Sequence, residues 1–135
     1  MADFEISGVQ YRSGKMPART QVHVLRRMGK MIDPLFQLMG GGVNNQDALS
    51  SFAQAIGLLS DAEVDYVMDN CLGTMRRRQG EAWTKVLNSD GKTCMFEDMD
   101  AAVQLQAIAY VLRDNYEPLF QKALAISSGG GSLST

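Results

Sequence analysis

The stretch from Asp98 to about Ile126 constrains the fold more than any other part of the chain. Its apolar residues Ala102, Leu105, Ile108, Ala109, Leu112, Tyr116, Leu119, Phe120, Ala123 and Leu124 recur at a spacing of three and four, the period of a helix with one buried face. Gln104, Gln106, Arg113, Asp114, Glu117, Gln121 and Lys122 take the other side. A helix this long, with no strong charge in its stripe, needs a covering surface along its length, and the preceding segments have to supply it. Asp98 is the expected N-cap, with Asp100 adding favourable charge in the first turn. Pro118 lacks a backbone donor and crowds the carbonyl of Asp114, which predicts a kink or short break around Asp114 to Glu117.

With 135 residues the chain fits one domain, able to bury roughly two thirds of its unfolded surface and to fold without a cofactor. Apolar residues make up 45% and charged ones 21%, a globular balance rather than a disordered one. The net charge of -2 argues against a dedicated nucleic-acid binder. No apolar run is long enough for a membrane span. The first residues, Met1-Ala2-Asp3-Phe4-Glu5, lack the basic and apolar regions of a signal peptide, so an intracellular location is expected. Cys71 and Cys94 stand in separate segments and fit two free thiols in a reducing compartment.

Along the chain, Phe4 to Tyr11 alternates apolar and polar residues on either side of Ser7-Gly8, which predicts a hairpin. From Pro17 the period is helical, with Ala18, Val22, Leu25, Gly29, Ile32 and Phe36 as the expected stripe and Arg19, His23, Arg26, Arg27 and Lys30 opposite. Asp33-Pro34 divides this from a short helix reaching Met39, which Gly40-Gly41-Gly42 stops. Asn44 or Asn45 caps a helix over Gln46 to Leu59, with Leu49, Phe52, Ala53, Ile56 and Leu59 as its core residues. Ser60-Asp61-Ala62-Glu63 is a capping box. The helix that it opens buries Val64, Val67, Met68, Cys71, Leu72 and Met75, and Arg76-Arg77-Arg78 closes it, where cations favour the negative end of the helix dipole.

Trp83 to Leu87 and Lys92 to Phe96 flank Asn88-Ser89-Asp90-Gly91, which predicts a second hairpin. The expected architecture is therefore α+β and mainly α-helical: four or five helices packed around a long C-terminal helix, with two small peripheral β-hairpins. That domain covers 1–126, and the Gly/Ser-rich residues 127–135 read as a flexible tail.

Catalytic and metal-binding patterns are missing from the sequence. His23 is the only histidine and sits among arginines, without the convergent partners of a general base. One His and two Cys without a close pair do not make a zinc site, and Asp61, Glu63, Asp65 and Asp69 are explained by their place at a helix start. Gly40-Gly41-Gly42 lacks the Lys-Ser/Thr of a phosphate loop. The basic clusters Arg19 to Lys30 and Arg76 to Arg78 have no interleaved aromatics, so they read as solvated or protein-facing surface. No enzyme activity, cofactor or metal is expected. Nine methionines are many for this length. Met28, Met68, Met75 and Met99 fall on core stripes, whereas Met16, Met31 and Met39 suit an adaptable partner-binding surface as well as they suit packing.

Three stretches resemble the tail assembly chaperones of long-tailed bacteriophages and prophages. The first is the opening hairpin followed by Lys15-Met16-Pro17-Ala18-Arg19-Thr20-Gln21-Val22-His23-Val24-Leu25-Arg26-Arg27, similar to the family's basic first helix. The second is Trp83 followed by Gly91-Lys92-Thr93-Cys94-Met95-Phe96-Glu97-Asp98-Met99, and the third is Asp114-Asn115-Tyr116-Glu117-Pro118-Leu119-Phe120. The resemblance implies a non-enzymatic protein of the infected or lysogenic host cytoplasm, absent from the mature virion, that binds the tape-measure protein while the tail tube assembles. The tail-tube protein is a second candidate partner, and membrane and nucleic acid are not expected ones. A structural minor tail protein, a connector or completion component, is the alternative. The residues assigned to partner binding are Arg19, His23, Arg26, Arg27, Lys30, Met16, Met31 and Met39.

Overall fold

The computed structural model describes the backbone of residues 2–31, 33–35, 37 and 45–133, and their side chains except at 30, 120 and 123–133. Its elements in chain order are strands β1 (Ala2–Ile6) and β2 (Val9–Ser13), helix α1 (Ala18–Arg27), a 3-10 turn (Gly29–Met31), helices α2 (Gln46–Ile56) and α3 (Asp61–Leu72), strands β3 (Arg76–Gln79) and β4 (Ala82–Lys85), and helix α4 (Ala101–Leu133).

The four strands form one antiparallel sheet in the order β1-β2-β3-β4. This corrects the expectation of two small peripheral hairpins. The first hairpin stands where the alternation put it, with Ile6 opposite Val9 across Ser7 and Gly8. Both turn residues have positive φ, 52° and 80°, as a two-residue type I′ turn requires. The second hairpin is displaced toward the N-terminus. Arg76 to Gln79, expected to close a helix, is strand β3; it pairs with Tyr11 and Arg12 on one side and with Lys85 to Ala82 on the other. Its turn is Gly80-Glu81, where Gly80 has φ 63° and supplies the glycine of a II′ turn. Of the hairpin expected around Asp90-Gly91 there remains one bridge, Leu87 to Cys94. Long-range pairing with β2 settles this, because three arginines carry no local strand preference of their own.

The inner face of the sheet packs on α4. Phe4 stacks between Tyr11 and Tyr110, with ring centroids 5.7 and 4.4 Å away. Arg77 also points inward, over the Phe96 ring at 4.4 Å and paired with Asp98 at 2.7 Å. Asp98 is therefore an ion-pair partner rather than the helix cap; Asp100 takes that role, its Oδ1 accepting from the Val103 N–H at 3.0 Å. Helices α2 and α3 cover α4 from elsewhere, so Ala107, Ile108, Ala109, Val111, Leu112 and Tyr116 are all fully buried. This makes α4 the central element. It runs through Pro118 without the expected break, and its bounds take in residues 127–133. Pro118 is exposed, where a missing intrahelical bond costs less than it does in a core.

The two predicted caps of the middle helices are present. Asn45 accepts from the Ala48 N–H, and Ser60 with Glu63 forms the reciprocal capping box. Helix α2 ends at Ile56, short of Leu59, and Ala53 is exposed rather than in the core. The stripe expected on α1 is rotated: Val24 and Met28 are buried, whereas Val22 is 65% exposed. Of the short helix expected to reach Met39, Asp33 to Leu35 and Gln37 are helical, with Leu35 fully buried, and the rest of it and the glycines after it lie outside the described residues.

Candidate partner-binding surface

What fixes α1, and with it the orientation of the basic face, is a buried amide. Asn115 of α4 is 3% exposed. Its Oδ1 accepts from the Met16 backbone N–H at 2.8 Å and from Gln21 Nε2 at 3.0 Å. Its Nδ2 donates to the carbonyls of Val111 and Gly14, at 2.9 and 3.2 Å. One residue on, the Tyr116 hydroxyl donates to the Gln21 carbonyl at 2.6 Å. Gln21 is thus drawn inward, and Val22 is turned out. An apolar period reads polar positions as surface, so a glutamine tied to a buried asparagine escapes it.

The outward side of α1 carries Arg19 and Arg26, both exposed, with half-buried His23 and the exposed Val22 between them. Arg27 is less available. Its guanidinium lies 3.8 Å from the centre of the Tyr66 ring, and Nη1 donates to the His23 carbonyl at 3.3 Å. The contact holds α1 against α3. Lys30 belongs to the 3-10 turn, and its side chain is outside the described residues, as is Met39. Met16 and Met31 are 2% and 0% exposed, so of the two readings open for them, packing and an adaptable surface, the structure has them packed in the core. Met16 follows the sheet in a segment without period and is carried inward by the bond from its own N–H to Asn115.

A second feature was assigned from sequence wholly to the core. Between helices α2 and α4 lies an open groove of about 290 Å³, lined by Leu49 and Ala53 on one side and Ala102 and Leu105 on the other. Gln46, Ser50 and Gln106 form its polar rim. These apolar residues are on the predicted stripes, but a stripe does not record where a groove lies between two helices. Such a groove takes the apolar side chains of a helix and has no chemistry of its own. Among the described residues no group of three or more His, Cys, Asp or Glu is placed to hold a metal ion. Among the same residues no helix is long and apolar enough to cross a membrane.

Comparison with known proteins agrees with a binding role. No curated protein and no solved structure matches the chain. The family model for the phage tail assembly chaperone protein, TAC, matches residues 7–129, from the first hairpin into the distal part of α4. With nearly the whole chain covered, this protein belongs to the phage tail assembly chaperone family.

Proposed function

We propose that this chain binds the tape-measure protein of its phage and keeps it soluble in the host cytoplasm until tail-tube protein encloses it. A tape measure is long, helical and apolar before its sheath exists, so it needs a transient binder with apolar surface and modest affinity. The observation that carries this reading is the open apolar groove between α2 and α4 in a member of a tail-assembly family. Leu49, Ala53, Ala102 and Leu105 receive apolar side chains of the tape-measure helix. The face formed by Arg19, Val22, His23 and Arg26 orients its acidic ones. Neither step needs a nucleotide, a metal or a catalytic group, and the chain acts without enzymatic chemistry.

Because the binding is transient, the chain leaves before the particle is complete. Mass spectrometry of purified virions against infected-cell lysate tests this: the chain is expected in the lysate alongside the tape measure and missing from the virions. Its presence in virions at a fixed ratio to the tape measure would identify it as a structural tail component instead.

A further inference from the structure

The outer face of the sheet carries a feature that the groove and α1 do not use. Strand register places Arg12, Arg76 and Lys85 directly beside one another across β2, β3 and β4. Residues opposite each other in such a sheet share a face, with neighbouring strands about 4.8 Å apart, and like charges so placed repel. Arg12 is neutralised by Asp3, at 2.7 Å, and lies over the Trp83 ring at 4.1 Å. Arg76 and Lys85 are both exposed, and among the described residues no carboxylate pairs with either. A chain with 15 acidic residues and a net charge of -2 leaves two adjacent cations without a counterion.

These cations border a cleft of about 430 Å³, together with Arg12 and Lys15, over a floor at Gly73 and Thr74. The floor is close-packed: a Cβ on Gly14 would stand 2.8 Å from the Thr74 carbonyl oxygen. A second cleft, of about 410 Å³, shares Gly73 and Lys85 with the first and continues past Leu87 to Met95, which is 54% exposed. The two clefts adjoin at Gly73 and Lys85, the first lined by cations and the second offering Leu87 and Met95 beside Asn88 and Ser89.

We propose that these adjoining clefts form a second docking site, for a protein segment that presents a pair of carboxylates to Arg76 and Lys85 and an apolar side chain to Met95. Across the sheet the positive strip is about two strand spacings wide and is bounded by Asp3 and Glu5 on the outer face of β1; along β3 the next outward cation, Arg78, is turned to the Gly80 carbonyl and the Gln10 side chain. That width suits two carboxylates, whereas an extended phosphate backbone needs a longer basic track. The site does not depend on the tape measure being the partner at the α2–α4 groove.

Fluorescence anisotropy of a labelled octapeptide that carries a pair of glutamates and one leucine among serines, titrated with the full chain, tests the proposal. Its glutamine counterpart and a single-stranded thymidine octanucleotide are the comparisons. The glutamate peptide is expected to bind, at least about tenfold more tightly than the glutamine one, with affinity falling between about 50 and about 300 mM salt. It should also perturb the fluorescence of Trp83, the only tryptophan. Arg76→Glu should pair with Lys85 across the strands, raise the melting temperature and abolish peptide binding; Lys85→Gln should weaken binding with the fold unchanged. No glutamate-peptide binding, equal binding of both peptides, tighter binding of the octanucleotide, or an Arg76→Glu variant that binds like the parent would each overturn the proposal.

Discussion

The Tyr116 hydroxyl donates to the Gln21 carbonyl at 2.6 Å, joining the fully buried middle of α4 to the first turn of α1. Burial holds this phenol protonated, well above the ordinary tyrosine range. With the neighbouring Asn115 amide, it sets which side of α1 faces outward. Through that rotation, two residues of the central helix decide that Arg19, Val22 and Arg26 form a surface.

The two contacts differ in what their loss leaves behind. Tyr116→Phe removes one donor and keeps the ring, so a loss of about 1 kcal/mol is expected. Asn115→Leu leaves the Met16 N–H, the Gln21 amide and the Gly14 carbonyl short of a partner. At roughly 1–3 kcal/mol for each buried group left unpaired, a loss of about 2–4 kcal/mol is expected after relaxation. Urea denaturation of both variants checks the order. An Asn115→Leu protein as stable as the parent would mean that α1 is held by other contacts.

The two thiols should react in sequence. Cys71 is fully buried on α3, and burial pushes its thiol far above the ordinary range. Cys94 is half-buried, with its Sγ donating to the Phe96 carbonyl at 3.6 Å. Since the thiolate is the reactive form, a thiol-specific disulfide reagent under native conditions should label Cys94 first and reach Cys71 only with unfolding. Mass mapping of the labelled peptides reads this directly, and rapid native labelling of Cys71 would contradict its burial.

Acid should loosen the chain within a defined window. The Thr93 hydroxyl, followed by the backbone N–H groups of Lys92 and Thr93, lowers the Asp90 carboxyl to about 2. Its unfolded value is near 3.8, so between these values the unfolded chain binds more protons and stability rises with pH. The contribution is fully present above the unfolded value and is lost as pH falls through the folded one. Asp3 and Asp98, lowered first by hydrogen bonds from Arg12 and Arg77, act in the same direction. The melting temperature should therefore hold down to about pH 4 and fall toward about pH 2, and Asp90→Ala should flatten part of that acid limb. An acid limb unchanged in Asp90→Ala would show that the turn does not couple to folding.

The parts of this fold that were legible in sequence are those with a local cause. Ser60 and Glu63 stand three apart and cap each other; Ser7-Gly8 sits between alternating strands; the stripe through Ile108, Ala109, Leu112 and Tyr116 repeats at helical spacing and is buried. What was misread has a distant cause. Arg76-Arg77-Arg78 resembles a helix end until Tyr11 and Arg12, more than 60 residues earlier, pair with it. The Asp90-Gly91 signal does mark a turn, with Gly91 at φ 71° and the Asn88 N–H bonded to the Thr93 carbonyl, but few residues around it pair. Of the candidate site, the cations on α1 were readable from the charge pattern. The burial of Met16 and Met31 was not, since it follows from packing against distant elements.

The account turns on tape-measure binding in the α2–α4 groove, and the solubility of that partner measures it most directly. Co-expressed with this chain and without added nucleotide, the tape-measure protein of the same phage should move from pellet to supernatant and co-purify with the chain. Ala53 and Ala102 line the groove and are exposed, so Ala53→Glu with Ala102→Glu should block it without entering the core. That variant should melt near the parent temperature and leave the tape measure in the pellet. Tape-measure protein equally soluble without the chain, or rescued equally by the blocked variant, would contradict the account.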